Sequence, residues 1–372
     1  MNAHVDLSAS KRALLEKMMR GGGVAAAKPQ AIEKRAPDAE IPLSADQRQV
    51  WLHAIMAPDM PLYNESITIH RFGSFDRGAM ERSVNEILRR HEAWRTAFVE
   101  EGGVLVQRVR EHRDIVLPYD DVSHLPEAER DAAALAIGQE DARRAIDLND
   151  APLFRARIVK LADDNHRLYF TLHHIIFDGV AIYRVIVPEL AKLYDAFSRG
   201  APSPLPMPTL QYGDYTIWQQ EHLKSAPIQK QIDYWRRTLA DAPPKLELVG
   251  DRTKSARPTH AGSMEVFEIP NDLIENLKLV GQRHGVTLYM TLLAAYHAQL
   301  HLYSGDEDII VGGVTDLRRR PELENVVGYF LNTIALRAKP KGETRFSDFL
   351  IEVRDSVLGA LAASAASLIK AA

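Results

Sequence analysis

Two adjacent histidines followed by an aspartate-glycine pair are the residues of this sequence best suited to acid–base chemistry. The segment HHIIFDG occupies residues 173–179, at the end of an apolar run (167–176) that predicts a β-strand. Because side chains alternate along a strand, His173 and His174 point to opposite faces, and only one of them can face a given cavity. An imidazole that ends a strand beside a tight turn is well placed for proton transfer, since its pKa lies near neutrality.

The short pattern alone also allows other interpretations. A strand histidine is often a hydrogen-bonded structural residue rather than a catalyst. Metal binding is disfavoured, because adjacent histidines on a strand diverge and no nearby carboxylate or histidine completes a coordination set. We therefore predict that the protein holds no metal.

Composition excludes several further kinds of chemistry. The 372 residues include no cysteine, which rules out disulfides, thiolate metal sites and a cysteine nucleophile and fits a reducing cytoplasm. The net charge of -4 provides no basic field for a nucleic-acid partner. No signal peptide and no apolar run of membrane-spanning length are found, so we expect a cytoplasmic protein without a membrane partner.

Helices and strands are predicted on both sides of the histidines. The periodicity of apolar residues indicates helices at 44–57, 76–91, 127–145, 210–223, 227–240, 271–284 and 287–303. Alternation and apolar runs indicate strands at 93–99, 104–109, 152–161, 167–176, 264–268, 308–314 and 332–338. A polar turn at 163–165 joins two of these strands into a hairpin that leads to the double histidine.

The length exceeds what one hydrophobic core usually organises, so we predict an α/β protein with two lobes. Residues 1–40 are interpreted as a short N-terminal helix and a flexible leader rich in Gly, Ala, Lys and Pro. Four alternate prolines between 201 and 208 forbid a helix interior or a central strand. The predicted domains are therefore the leader (1–40), an N-terminal lobe with the histidines (41–205) and a C-terminal lobe (206–372).

Five segments in a fixed order carry a resemblance to a known family. They are LSADQRQVW (43–51), RRHEAWRTAF (89–98), HHIIFDG (173–179), YGDYTIW (212–218) and VGYFLNTIALR (327–337). Over residues 41–360 the chain resembles the condensation domains of nonribosomal peptide synthetases. This resemblance implies two chloramphenicol-acetyltransferase-like lobes in a V-shaped pseudo-dimer, with an active-site tunnel at their junction. The usual C-terminal motifs are not found, which predicts an incomplete second lobe with exposed sheet edges.

The resemblance also implies roles for individual residues. His174 faces the tunnel and is catalytic, whereas His173 packs structurally. Asp178 forms a salt bridge to an arginine, for which alignment back from Pro321 suggests Arg318. Gly179 leaves space and offers an N–H near the reacting carbonyl, and Asn332 either lines the tunnel or makes a structural hydrogen bond. Scaffold roles are expected for Arg95, Tyr212, Asp214 and Trp218.

The implied reaction is formation of an amide bond between two substrates that are each held as a thioester. The α-amine of an acceptor aminoacyl group attacks a donor acyl group, and both are presented on the phosphopantetheine arms of carrier proteins. The domain itself binds no cofactor. The segment 61–70 and Phe177 favour a donor from an upstream polyketide or fatty-acyl module. The alternatives are a starter domain that uses acyl-CoA and a truncated, non-catalytic platform that binds carrier proteins.

Overall fold

The computed structural model describes residues 31–243, 245–248 and 262–366. The chain divides into two units between Glu33 and Lys34, and the second unit carries every element described below. The predicted leader helix lies outside the described residues. The predicted lobe boundary near residue 205 stays a prediction.

The described part of the chain contains both helices and strands in each half. The strands are Ile41–Pro42 (β1), Asn64–Phe72 (β2), Thr96–Glu101 (β3), Val104–Val109 (β4), Tyr119–Asp121 (β5), Phe154–Ala162 (β6), Asn165–His173 (β7), Ile309–Asp316 (β8) and Leu331–Ala338 (β9). The α-helices are Ala45–Met56 (α1), Arg77–Arg90 (α2), Glu127–Arg143 (α3), Val187–Ser198 (α4), Tyr212–His222 (α5), Ala226–Thr238 (α6), Asn271–His284 (α7), Leu288–Ser304 (α8) and Phe346–Ala362 (α9). Single 3₁₀ turns and one π-helix connect some of them, at Glu92–Arg95, His174–Ile176, Pro321–Leu323 and Ala181–Ile186.

The strand that leads to the histidines is an inner strand of the largest sheet. This sheet has the order β2-β7-β6-β5. β7 pairs antiparallel with β2 from Asn165 to His173 and with β6 on its other side, so the predicted hairpin is confirmed. Every residue from 166 to 173 is buried, because the strand has a neighbour on each edge and is covered on both faces. The histidines are thus attached to a rigid part of the fold.

Two other small sheets complete the described β structure. β1, β4 and β3 form one, and the antiparallel pair β8-β9 forms the other. β8 and β9 belong to the second half of the chain, whose core gathers residues from α6, α8, β9 and α9. Trp235 is fully buried there, and its indole Nε1 donates to the carbonyl of Ala363 at 2.9 Å.

Some sequence predictions were wrong in their details. The strand predicted at 93–99 begins only at Thr96, because a 3₁₀ turn precedes it. The segment 264–268 is not a strand: Met264, Val266 and Phe267 are 80–85 % exposed. Its alternating pattern is typical of a strand, but among the described residues no neighbouring strand supplies the hydrogen bonds that would make it one. β2 and α4 were not predicted from the sequence.

The segment RRHEAWRTAF joins two helices through a group of ionic contacts. We call the contacts of Arg90 and His91 with Glu189 the clasp. Arg90 binds both carboxylate oxygens of Glu189 in α4, at 3.0 and 3.1 Å, and His91 Nε2 lies 2.8 Å from the same carboxylate. Burial on its own would raise the pKa of Glu189, but the hydrogen bonds from His91 and Arg90 outweigh it and lower this pKa to about 2. The clasp joins α2 to the helix that follows the HHIIFDG segment.

Glu189→Gln should therefore destabilise the fold, because it leaves the buried Arg90 guanidinium without its counter-charge. A loss of about 3 kcal/mol in the free energy of unfolding at pH 7 is expected. Because the folded-state pKa lies below the ordinary value of 4.5, the wild-type carboxylate stabilises the fold above that pH and loses its contribution as the pH falls towards 2. Denaturant unfolding between pH 7 and pH 2 measures both effects.

The matched control is Glu221→Gln. Glu221 pairs with Lys224 on the surface, where both side chains are about 70 % exposed, so the expected loss is below about 0.5 kcal/mol. Equal stability of the two variants would contradict the clasp.

Candidate functional site

The two histidines lie on either side of a change in backbone conformation. β7 ends at His173, and His174 begins a 3₁₀ turn, so the strand predicted to reach Ile176 stops three residues earlier. The backbone N–H of His174 donates to the carbonyl of Tyr63 at 2.8 Å, while the N–H of Ile175 donates to Nδ1 of His173 at 3.3 Å. The first bond continues the pairing of β7 with the chain beside β2, and the second caps the turn that follows.

The His174 ring is oriented by three contacts. Its Nδ1 lies 3.0 Å from the carbonyl oxygen of Phe177. A carbonyl can only accept, so Nδ1 carries the hydrogen of the neutral ring, and Nε2 keeps its lone pair. The ring stacks on Phe177 at 4.7 Å and meets the edge of Tyr329 at 5.4 Å. The half-buried His174 ring thus has Nδ1 held by a backbone carbonyl and its lone pair on Nε2.

His173 has a different environment. It is 4 % exposed, and its ring lies 5.8 Å from that of Tyr63. Burial, together with the neighbouring His174, lowers the pKa of His173 to about 3. The ring is neutral near pH 7, and its Nδ1 accepts a hydrogen bond from the N–H of Ile175.

Asp178 connects this turn to the second half of the chain. Its carboxylate is fully buried and lies 2.6 Å from Nη1 of Arg318, so the ion pair expected from the resemblance is present. The same carboxylate accepts from the backbone N–H groups of Phe330 and Ala181, each at 2.9 Å. The Arg318 guanidinium also lies over the Phe330 ring, 4.1 Å from its centre. With these bonds in place, Asp178 acts as a structural link.

Gly179 borders open space. A methyl group built on this residue would meet no atom within 4 Å, and its φ lies outside the left-handed region that favours glycine. Neither packing nor backbone conformation therefore requires a glycine here. The space beside the turn that carries His174 is available to another molecule.

The side-chain amide of Asn332 hydrogen-bonds to the backbone. Asn332 is buried, and its amide donates to the carbonyl of Ser364 at 2.7 Å and to that of Ala366 at 3.4 Å. These bonds hold β9 against the end of α9, and they favour the structural interpretation of this residue.

Sequence reasoning expected a scaffold role for Tyr212 but missed the contacts by which it and three other residues surround the turn. Gln47 in α1 donates to the carbonyl of Ile175 at 3.0 Å and forms a capping box with Ser44. The hydroxyl of Tyr212 bonds Ser44 Oγ at 3.1 Å and the carbonyl of Tyr329. All four residues belong to segments that resemble the family, but a linear pattern does not reveal contacts across more than 100 residues.

Metal-binding clusters and membrane-spanning helices are both absent from the described residues. These residues contain no group of three or more His, Cys, Asp or Glu side chains that could hold a metal ion. None of the helices in the same ranges combines the length and the apolar character needed to span a bilayer.

Comparison with known proteins identifies the family. The sequence profile of the condensation domain matches residues 38–368. The chain belongs to the condensation domain family. It is 37 % identical over 325 residues to a linear gramicidin synthase protein of Brevibacillus parabrevis, and the match covers 87 % of this chain and 6 % of that protein. It is 33 % identical over 356 residues to phosphinothricin tripeptide synthetase PhsC of Streptomyces viridochromogenes, and the match covers 96 % of this chain and 33 % of that protein. The chain thus spans between 6 and 33 % of the length of these relatives.

Solved structures share the fold. The X-domain from teicoplanin biosynthesis aligns with a TM-score of 0.81 and 23 % identity, over 91 % of this chain and 74 % of that one. The first condensation domain of the calcium-dependent antibiotic synthetase, in complex with a substrate analogue, aligns with a TM-score of 0.74 and 19 % identity, over 88 % and 75 % of the two chains. The α/β condensation-domain fold implied by the five segments is confirmed.

Gly328→Ala should disrupt the packing of Gly328 against Tyr212, because a methyl group there would lie 1.9 Å from Cδ2 of Tyr212. Tyr212 is itself fully enclosed, so relief requires a backbone shift, and we expect a loss of about 3 kcal/mol. Thermal unfolding measures the effect. Gly342→Ala is the control, since a methyl group meets nothing within 4 Å there. Similar melting temperatures for both variants would show that Gly328 and Tyr212 are not in tight contact.

Proposed function

We propose that this condensation domain forms an amide bond between a donor acyl thioester and the α-amine of an acceptor aminoacyl thioester. Both substrates arrive on phosphopantetheine arms of carrier proteins. The observation that carries this proposal is the geometry of His174, whose Nδ1 is held by the Phe177 carbonyl at 3.0 Å. This bond directs the lone pair to Nε2, where a proton can be accepted.

The reaction balances without a cofactor. The amine attacks the donor carbonyl carbon, so a C–N bond forms and the C–S bond of the donor thioester breaks. Nε2 of His174 takes the proton that the attacking nitrogen loses and returns it to the departing thiolate. An α-amino group titrates near pH 8 in simple peptides, so part of it is already neutral and the demand on the base is modest. Holding the two thioesters in register contributes as well.

The contacts around His174 support its proposed role as the base. Phe177 and Tyr329 contact the His174 ring from two directions, which limits its rotation. Burial, followed by the charges of Asp46, Tyr63 and Asp178, raises the pKa of Tyr329 to about 12, so this neighbour stays neutral. The open space at Gly179 is where we place the reacting carbonyl.

The donor class and two related functions are open to test. A starter condensation domain of rhizomide synthetase, crystallised with C8-CoA, aligns with a TM-score of 0.73 at 20 % identity, which shows a common fold only. The X-domain from teicoplanin biosynthesis has been crystallised with OxyB, so a docking platform is the second candidate. Donors supplied as acyl-CoA, acyl-carrier protein or peptidyl-carrier protein discriminate among these functions.

His174→Ala should lower the rate of carrier-to-carrier transfer by at least about 100-fold, the usual contribution of a general base, and leave the melting temperature unchanged. His173→Ala should lower the melting temperature and affect transfer much less, because this ring is buried and holds the turn. Single-turnover transfer and thermal unfolding provide the two measurements. A near-wild-type rate for His174→Ala would exclude catalysis by this residue.

Gly179→Val tests whether the open space receives substrate. The Cβ of the new side chain meets nothing within 4 Å, so we expect the variant to fold, which thermal unfolding checks; transfer should fall about tenfold or more, because small displacements of reacting groups are costly. Gly342→Ala serves as a control for replacing a glycine outside the site. Full activity with the valine present would mean that no reacting group occupies this space.

A further inference from the structure

Asp46 is a buried carboxyl group that the proposed reaction does not use. It is an acidic residue in the first turn of α1, and it is 5 % exposed. Its carboxyl group hydrogen-bonds to the side chain of Gln219 and to its own backbone N–H. Neither partner carries a charge, and no cation among the described residues lowers the pKa of Asp46.

The fold therefore favours the neutral form of this carboxyl group. Moving a carboxylate out of water is costly unless a cation or several donors replace the water. Burial raises the pKa of Asp46 to about 7, although its two hydrogen bonds oppose the rise. The buried guanidinium of Arg318 is paired with Asp178 at 2.6 Å instead.

The ionisable neighbours of Asp46 are three tyrosines. Burial, and after it the charge of Asp46, raises the pKa of Tyr215 in α5 and of Tyr329. Burial and Tyr215, with a smaller contribution from Asp46, raise the pKa of Tyr212. All three hydroxyl groups keep their protons near pH 7. Within this cluster, Asp46 is the group whose charge changes near neutrality.

Two routes connect Asp46 with the turn that carries His174, and the first follows α1. Gln47, the next residue, donates to the carbonyl of Ile175 in the turn at 3.0 Å. The N–H of Gln47 donates to Ser44 Oγ at 3.0 Å, and Ser44 is bonded to the Tyr212 hydroxyl at 3.1 Å. The start of α1 thus holds the turn directly.

The second route passes through Gln219. Its amide nitrogen donates to the hydroxyl of Tyr215 at 3.0 Å, and the Tyr215 ring packs on Phe330 with the ring centres 4.6 Å apart. The residue before Phe330 is Tyr329, whose edge meets the His174 ring at 5.4 Å. A change at Gln219 therefore reaches the imidazole through two packed rings.

We propose that Asp46 is a positioning residue for amide formation, which its neutral form supports and its ionised form weakens. A carboxylate binds donors more strongly than a neutral carboxyl group, so ionised Asp46 would draw the amide of Gln219 away from Tyr215. Phe330 and Tyr329 would then shift against the His174 ring. The inference rests on the proposed function, because the rate that Asp46 controls is the rate of that reaction.

Asp46→Asn tests the inference, since asparagine has nearly the size of aspartate and cannot ionise. Single-turnover transfer is measured for both proteins from about pH 6 to about pH 9, and the ratio of the variant rate to the wild-type rate is taken at each pH. Ionisation of the attacking amine affects both proteins alike and cancels in this ratio. The ratio should rise at least about threefold around pH 7, because Asp46 ionises over this range in the wild type alone.

The matched control is Asp272→Asn. Asp272 is likewise an acidic residue in the first turn of a helix, α7, but it is exposed. Its ratio should stay constant with pH. A ratio for Asp46→Asn that is as constant as that of the control would overturn the inference.

Denaturant unfolding follows the same proton without any substrate. Because the folded-state pKa of about 7 lies above the ordinary value of 3.8, the wild type should lose stability as the pH rises from about 4 to about 7. Asp46→Asn should lack this loss, and Asp272→Asn should retain it. The same loss in the wild type and in Asp46→Asn would show that the folded protein does not retain this proton.

The ring signal of Tyr329 separates this inference from the proposed function. In protein labelled with ¹³C at its tyrosine rings, the signal is assigned with Tyr329→Phe and followed through pH 7. If it shifts in the wild type but not in Asp46→Asn, and no donor yields an amide, the proposed function fails and the link from Asp46 to the site stands. If the amide forms with the same pH dependence in both proteins, the proposed function stands and Asp46 has no positioning role.

Discussion

The buried ion pair between Asp178 and Arg318 is the interaction on which the site depends. Two charges removed from water need hydrogen bonds to most of their remaining donors and acceptors. Asp178 has them in the backbone N–H groups of Phe330 and Ala181. Nη2 of Arg318 donates to the carbonyls of Val326 and Gly328 and the guanidinium lies over the Phe330 ring, whereas its Nε has no partner among the described residues. Because either charge alone would be very costly, the turn that carries His174 and the segment around Phe330 must fold together.

A second group of hydrogen bonds connects the same place to the start of the chain. Gln47 binds the turn at the carbonyl of Ile175, and Tyr212 connects Ser44 with the carbonyl of Tyr329. Tyr329 then contacts His174. The orientation of one imidazole is thus determined by segments that are far apart in sequence, and four of the five family-like segments meet around it.

Much of this arrangement could be predicted, and the rest could not for physical reasons. Ser44 and Asp76 indicate the starts of helices because their side chains bond the first free N–H groups, and the β6-β7 hairpin follows from local patterns. β7 ends at His173 in a 3₁₀ turn, where the N–H of Ile175 donates to Nδ1 of His173 and the N–H of Phe177 donates to the carbonyl of His174, and no periodicity encodes these contacts. The segment 264–268 has a strand pattern without a partner, and pairing is a property of two segments. The stacking of Phe177 on His174 depends on the same turn.

The π-helix Ala181–Ile186 has a consequence for comparing this chain with its relatives. A π-turn contains about one residue more than an α-turn of similar height, so it is equivalent to an insertion within a helix. A relative with an α-helix throughout would be one residue shorter between its Asp-Gly pair and the position of Glu189, and an alignment would show a gap there. Without the extra residue, Glu189 would be rotated by about 100° around the helix axis, away from Arg90 and His91.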